Sequence, residues 1–146
     1  MEIPHNVHVV VVDGRKLLLF KNEGSSASPK LSLAAHREQD SAATHDQGSD
    51  EPGTTQQSVG SARSGYEPTD FHQQDEDRFA ADAADMLKRE VLAGRIGALI
   101  VVAAPHTLGE LRKHYHAAVE KRLLGEIARD VAGRPGAEIV ALIASS

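Results

Sequence analysis

Apolar and polar positions along the chain fall into two patterned blocks with an unpatterned stretch between them. Val7 to Val12 is almost continuously apolar, interrupted by His8. Asp13-Gly14 follows, and then a second run, Arg15 to Phe20, centred on Leu17-Leu18-Leu19. Two β-prone runs around Asp-Gly predict a hairpin closed by a type I′ turn, because that turn needs positive φ at both central positions. Four consecutive valines, 9–12, predict a strand buried on both faces. Asn22-Glu23-Gly24-Ser25-Ser26 reads as a turn, and Leu31 to His36 alternates weakly, as a third strand would.

The second block begins near Asp70, which reads as a helix N-cap with Gln73 three residues on. Phe79, Ala83, Met86, Leu87 and Val91 recur at helical spacing, and Gly94 is the natural stop. Ala98 to Ala104 is a short continuous apolar run after a helix, the pattern of a central strand in an α/β sheet, ended by Pro105. Thr107-Leu108-Gly109-Glu110 reads as a capping box opening a second helix, whose inner face is Leu108, Leu111, Tyr115 and Val119. Leu123 to Ala128 reads as another strand. Gly133-Arg134-Pro135-Gly136 breaks the chain before Ala137 to Ala144, an apolar segment in which the early proline favours helix over strand. The order β-β-β-loop-α-β-α-β-α implies an α/β fold, with a mixed sheet and flanking helices.

Residues 40–70 differ in kind. Val59 is their one branched aliphatic residue. Asp40, Asp46, Asp50, Glu51, Glu67 and Asp70 stand against the single Arg63. Such a composition cannot bury enough apolar surface to offset its ordering entropy. A compact domain rarely keeps a connection this long unless it is functional or flexible. We therefore expect a long flexible polar loop that carries function within one domain, 1–146.

Composition narrows the chemistry. The chain has 146 residues, no cysteine and no tryptophan, with 3% aromatic residues and a formal charge of −5. Disulfides, thiolate catalysis and cysteine zinc sites are excluded. Few aromatics argue against single-strand binding by base stacking, and the net charge argues against free nucleic acid as a partner. The first residues lack the positive region of a signal peptide, and the longest apolar run is too short to span a bilayer. The expected location is the cytoplasm, with no membrane association. Ile139, Val140, Leu142 and Ile143 are unusually apolar for a terminus, which leaves room for a homodimer there or at a sheet edge.

Several local strings, in order, resemble a known family. Val9 to Gly14 leads into Leu19-Phe20, and Gly48-Ser49-Asp50-Glu51-Pro52-Gly53 lies in the loop. His72-Gln73 with Phe79 opens the first helix, and Ala103-Ala104-Pro105 precedes Leu108-Gly109-Glu110-Leu111-Arg112. Together they resemble the bacterial family labelled "protein required for attachment to host cells". Val10 to Gly14, and Leu123-Leu124-Gly125-Glu126-Ile127 followed by Gly133, are in turn similar to the middle domain of archaeo-eukaryotic peptide-chain release factors. That resemblance implies a ribonuclease-H-like fold, and a ribosome or translation component as partner. In release factors the corresponding loop carries a Gly-Gly-Gln tip that enters the peptidyl-transferase centre. This chain has Gln56-Gln57 but no Gly-Gly-Gln, which counts against peptidyl-tRNA hydrolysis.

Within the loop, Gly48, Ser49, Asp50, Gln56, Gln57, Arg63 and Tyr66 are the residues expected to meet a partner. A second candidate is the turn Pro105-His106-Thr107 with Gly109, where a buried strand passes into a helix. Ligands of open α/β sheets bind beyond the carboxyl ends of strands, and a helix N-terminus favours anions. No metal or cofactor is expected. His114 and His116 are two apart, about 200° around a helix, and cannot share an ion. His36, His45 and His72 lack an i, i+4 pair. Of the carboxylates a nuclease would need, Asp13, Glu126 and Asp130 are the available ones, and the turn already accounts for Asp13. The leading reading is a non-catalytic binding module that acts through its loop. The alternatives are a hydrolase centred on His106 and Thr107, and a factor in attachment of bacteria to host cells.

Overall fold

The computed structural model describes residues 1–39, 68–131 and 133–146. Along the chain come β1 (His8–Val12), β2 (Lys16–Asn22), β3 (Leu31–Glu38), α1 (Pro68–Leu92), β4 (Leu99–Ala103), α2 (Pro105–His114), α3 (Ala117–Glu120), β5 (Leu123–Ala128) and α4 (Gly136–Ala144). The strands form one sheet in the order β3-β2-β1-β4-β5. β1, β4 and β5 run parallel, whereas β1-β2 and β2-β3 are antiparallel. This is the expected mixed α/β sheet.

β1 is the axis of the sheet, and all five of its residues are buried. Even-numbered valines and odd-numbered valines face opposite sides because side chains alternate along a strand. Val10 and Val12 join Leu17, Leu19, Val101 and Ala103 beneath Phe79, Ala83, Leu87 and Val91 of α1 and Leu108 and Leu111 of α2. Val9 and Val11 join Ile100, Val102 and Ile127 beneath Ile139 and Ile143 of α4. Each fully buried aliphatic side chain contributes about 1.5–3 kcal/mol, so a strand used on both faces stabilises two cores at once. The apolar C-terminal segment is a helix. Ile139 and Ile143 are fully buried against the sheet, and Val140 and Leu142 pack partly against the same core. That apolar character is thus largely used within the chain. Among the large exposed apolar residues are Leu33 on β3 and Leu124 on β5, the two edge strands.

Local details depart from the sequence pattern in four places. The β1–β2 turn is not type I′, for Gly94 is the one described glycine with positive φ, at 83°. Instead the Asp13 carboxylate accepts the backbone N–H of Arg15 at 2.8 Å and of Lys16 at 2.6 Å, while Asp13 N–H donates to the Lys16 carbonyl. An aspartate that bonds its own turn replaces the need for positive φ. Helix α1 begins at Pro68, so residues 68–70 belong to it and not to the loop, and Asp70 is not its cap. Helix α2 begins at Pro105, with Ala104 as N-cap and no side-chain cap, so Thr107 lies inside the first turn and closes no capping box. The expected long second helix is broken at Tyr115, and His116 caps α3 by accepting the Ala118 N–H at 2.9 Å.

Asn22 ties the N-terminal segment to the hairpin. It is fully buried; its Nδ2 donates to the carbonyls of Ile3 (2.7 Å) and Pro4 (3.2 Å), and its Oδ1 accepts from the N–H of Gly24 and Lys30. One side chain thus organises the turn expected at 22–26. His8, nearby at the start of β1, has the opposite fate. It is buried, and its Nδ1 has no hydrogen-bond partner. Burial, aided by the Lys21 charge and opposed by that of Glu90, lowers its pKa below the ordinary 6.5. The native state therefore prefers neutral His8, and the unfolded chain takes up the proton more readily. The contribution is complete above about pH 6.5 and is lost as pH falls from there through the native pKa. Urea denaturation at pH 7.5 and 5.5 should show a loss of stability that is smaller in His8→Val; equal losses in both proteins would exclude His8 as the source.

Candidate functional site

The parallel strands β1, β4 and β5 end on the same edge of the sheet, and a cleft of about 350 Å³ opens there. Asp13, Gly14 and Arg15 come to it from the turn after β1. Ala104, His106 and Thr107 come from the β4–α2 junction, Asp130 from beyond β5, and Gln73 and Glu76 from α1. Such a cleft forms because strands that run in one direction send their connections away from the same edge. Gly14 lies close to the Glu76 side chain: a Cβ there would lie 2.5–2.8 Å from its atoms, and Glu76 would have to swing aside.

Beside the cleft, α1 and α2 meet through polar groups. Gln73 Nε2 donates to Asp77 Oδ1 at 3.0 Å and lies 2.7 Å from His106 Nε2, which is itself 3.1 Å from Asp77 Oδ1. Glu110, one turn beyond His106, accepts from Lys113 Nζ at 2.7 Å. These exposed pairs contribute little to stability, of order 0–1 kcal/mol each.

Of the residues expected at this turn, His106 and Thr107 line the cleft, and Thr107 is buried at 8% exposure. Pro105 is the first residue of α2. Gly109 faces open space, with nothing within 4 Å of where a Cβ would stand, and it plays no part in the cleft wall. Asp13 and Asp130 share the cleft, but Glu126 does not join them. It accepts Tyr115 Oη–H at 2.9 Å and, at its other oxygen, Arg112 Nε at 3.0 Å and a terminal Arg112 nitrogen at 2.8 Å. The sequence reading missed Gln73, Asp77 and Glu110 as site residues. The His106–Glu110 spacing, i, i+4 on one helix, was the available signal. Gly48, Ser49, Asp50, Gln56, Gln57, Arg63 and Tyr66 lie outside the described residues, as do His45 and the side chain of His72. A second groove of about 380 Å³ runs between the end of β3 and α1, from Arg37 and Gln39 to Phe79, Met86 and Arg89. Among the described residues no helix is long and apolar enough to cross a membrane.

A mixed five-stranded sheet with helices on both faces and a cleft at its carboxyl edge places the chain among the α/β domains. Residues 6–143 match the family described as Bacterial archaeo-eukaryotic release factor family 12, and the chain belongs to that family. Its fold is similar to that of an archaeal translation termination factor, aRF1, with a TM-score of 0.52 and 12% identity over 96% of this chain and 34% of that one. A structure described as an archaeal protein aligns with a TM-score of 0.48 and 12% identity, over 94% of this chain and 32% of that one. The chain thus spans about a third of the length of the solved structures it matches. No curated protein sequence matches it. The comparisons bear out the release-factor side of the resemblance and do not carry the host-attachment label.

The Tyr115–Glu126–Arg112 network gives this region a testable core. Burial and the neighbouring Glu126 carboxylate push the Tyr115 hydroxyl well above its ordinary pKa of 10. Tyr115→Phe should cost about 1–2 kcal/mol in chemical denaturation, because a half-buried carboxylate oxygen loses its donor. It should also remove the tyrosine phase that, in alkaline ultraviolet titration, waits for unfolding. An unchanged denaturation midpoint would show that Arg112 alone satisfies Glu126.

Proposed function

We propose that this protein acts in translation as a non-catalytic module, binding the ribosome or a ribosome-associated component through the stretch between β3 and α1. The observation that carries the reading is membership of a release-factor family over nearly the whole chain. The likeness of fold to a translation termination factor supports it. The absent Gly-Gly-Gln separates the proposal from peptide release. With a charge of −5, the contacts would be local or made to protein, not spread over phosphates. Gly48, Ser49, Asp50, Gln56, Gln57, Arg63 and Tyr66 are the proposed contact residues, and the cytoplasm is the proposed location.

The residue that precedes this stretch is held independently of it. Gln39 N–H donates to the Arg15 carbonyl at 2.8 Å, and Gln39 Nε2 donates to the Asp75 carbonyl of α1 at 3.1 Å. Replacing residues 40–66 by a short Gly-Ser linker should therefore leave the fold intact, with stability changed by only about 1 kcal/mol from loop closure. On sucrose gradients the full chain should co-migrate with ribosomal particles and the shortened chain should stay at the top. Equal co-migration of both would remove the loop from the proposal, and migration of the full chain only at the top would overturn it.

The cleft favours a second reading, an ester or phosphate hydrolase in which His106 moves a proton. The specific observation is a concave site that places His106 at its wall with the Asp77 carboxylate 3.1 Å behind the ring nitrogen. His106→Ala should abolish turnover of a generic ester or phosphomonoester substrate while leaving the melting temperature within about 2 °C, as expected for loss of an exposed pair. Absence of turnover by the unmodified chain across both substrate classes would sink this reading.

A further inference from the structure

We propose that Asp77, His106 and Glu110 form a binding site for a divalent transition-metal ion, with Zn²⁺ the ion that suits these donors. The three side chains each offer a ligand atom, and these atoms all lie within 4.8 Å of one another. His106 and Glu110 stand one turn apart on α2, so they share a face. Asp77 reaches them from α1, which packs against α2. Bonds of about 2.0–2.2 Å in a tetrahedral site separate neighbouring ligands by roughly 3.4 Å. His106 Nε2 and Asp77 Oδ1, 3.1 Å apart, are already near that spacing.

The proton count around His106 points to a cation. Nε2 of His106, Oδ1 of Asp77 and Nε2 of Gln73 make a triangle with sides of 2.7, 3.0 and 3.1 Å. The Gln73 amide nitrogen only donates. It satisfies Asp77, and it satisfies His106 if Nε2 carries a lone pair. That lone pair then faces the Asp77 oxygen, acceptor against acceptor. Placing the proton on Nε2 repairs that contact and sets donor against donor at Gln73. Reversing the amide sets the Gln73 oxygen against the Asp77 oxygen instead. With Asp77 ionised, no assignment of protons satisfies all three sides. A metal ion bound to Nε2 and Oδ1 relieves the acceptor–acceptor contact between His106 and Asp77, and Gln73 then donates to Asp77 alone.

Charge and burial agree with this. Two carboxylates and a neutral imidazole carry −2, which a divalent ion offsets. The Glu110 side chain is only 13% exposed, whereas its Lys113 partner is 67% exposed. Lys113 is an exposed cation on a largely buried carboxylate, and a metal can displace it. The imidazole nitrogen is the donor that favours Zn²⁺ over Mg²⁺ or Ca²⁺, since the two carboxylate oxygens are hard ligands that suit all three. Three protein ligands leave one position of a tetrahedral ion open, and His106 places the ion at the border of the cleft. The proposal rests on neither functional reading above.

The test uses the full chain, stripped with a chelator and dialysed. Co²⁺ should produce visible d–d absorption that Zn²⁺ abolishes, and calorimetry should count one Zn²⁺ per chain. Affinity should fall by roughly tenfold or more in each of Asp77→Asn, His106→Ala and Glu110→Gln, a loss at least as large as that from an outer-shell partner. Asp85→Asn, elsewhere on α1, should bind as the parent does. In the unmodified chain, the imidazole signals assigned to His106 by their absence in His106→Ala should shift on adding Zn²⁺. No d–d absorption and no binding heat, undiminished affinity in the ligand variants, or shifts confined to His114 and His116 would each overturn the site.

Discussion

Everything else in this molecule is hung on the double burial of β1. Five consecutive residues have no exposed face, so the sheet must carry cover on both sides. α1 and α2 supply it on one side, α4 on the other. That requirement sets β1 at the centre of the sheet, with the hairpin partner β2 on one flank and β4 on the other. A parallel neighbour cannot follow by a short turn, and it needs a helical crossover. The long helix α1 therefore lies between β3 and β4 in the chain, and α2 with α3 lies between β4 and β5.

The same constraint creates the cleft. Parallel strands present their carboxyl ends together, and the turns that leave them carry side chains with no place in either core. Asp13, His106, Thr107 and Asp130 meet there although they are far apart in the chain. The seam between α1 and α2 then adds Gln73, Asp77 and Glu110, which are polar because they lie at the margin of the buried interface. The family to which the chain belongs and the fold it shares with a translation termination factor agree with this frame. The structural likeness covers 34% of that larger protein.

Much of the fold was legible because it rests on periodicity. The valines of β1, the apolar run of β4 and the i, i+3, i+4 pattern of α1 each state their element and their buried face. Gly94 was readable as a stop because an αL position, here with φ of 83°, selects glycine. Misreadings arose where two local solutions compete. Asp-Gly suggested a type I′ turn, but the Asp13 carboxylate can bond the turn directly. Thr107 suggested a cap, but Pro105 fits the first helical position better and Thr107 became part of the buried face. Tyr115 fitted the stripe of the second helix, yet its hydroxyl seeks Glu126 and the helix ends there.

The sequence alone determined the element order apart from the α2–α3 break, the mixed sheet, the two-sided burial of β1 and the release-factor resemblance, since these depend on residue types at short, regular spacings. It also singled out His106 and Thr107, because a strand-to-helix junction is visible locally. Only the tertiary structure decided which charged residues keep company. Glu126 joined Tyr115 and Arg112 instead of Asp13 and Asp130, and Asp77 crossed to His106. Such pairings depend on which helix faces lie opposite each other across a seam, a distance in space that spacing along the chain does not encode.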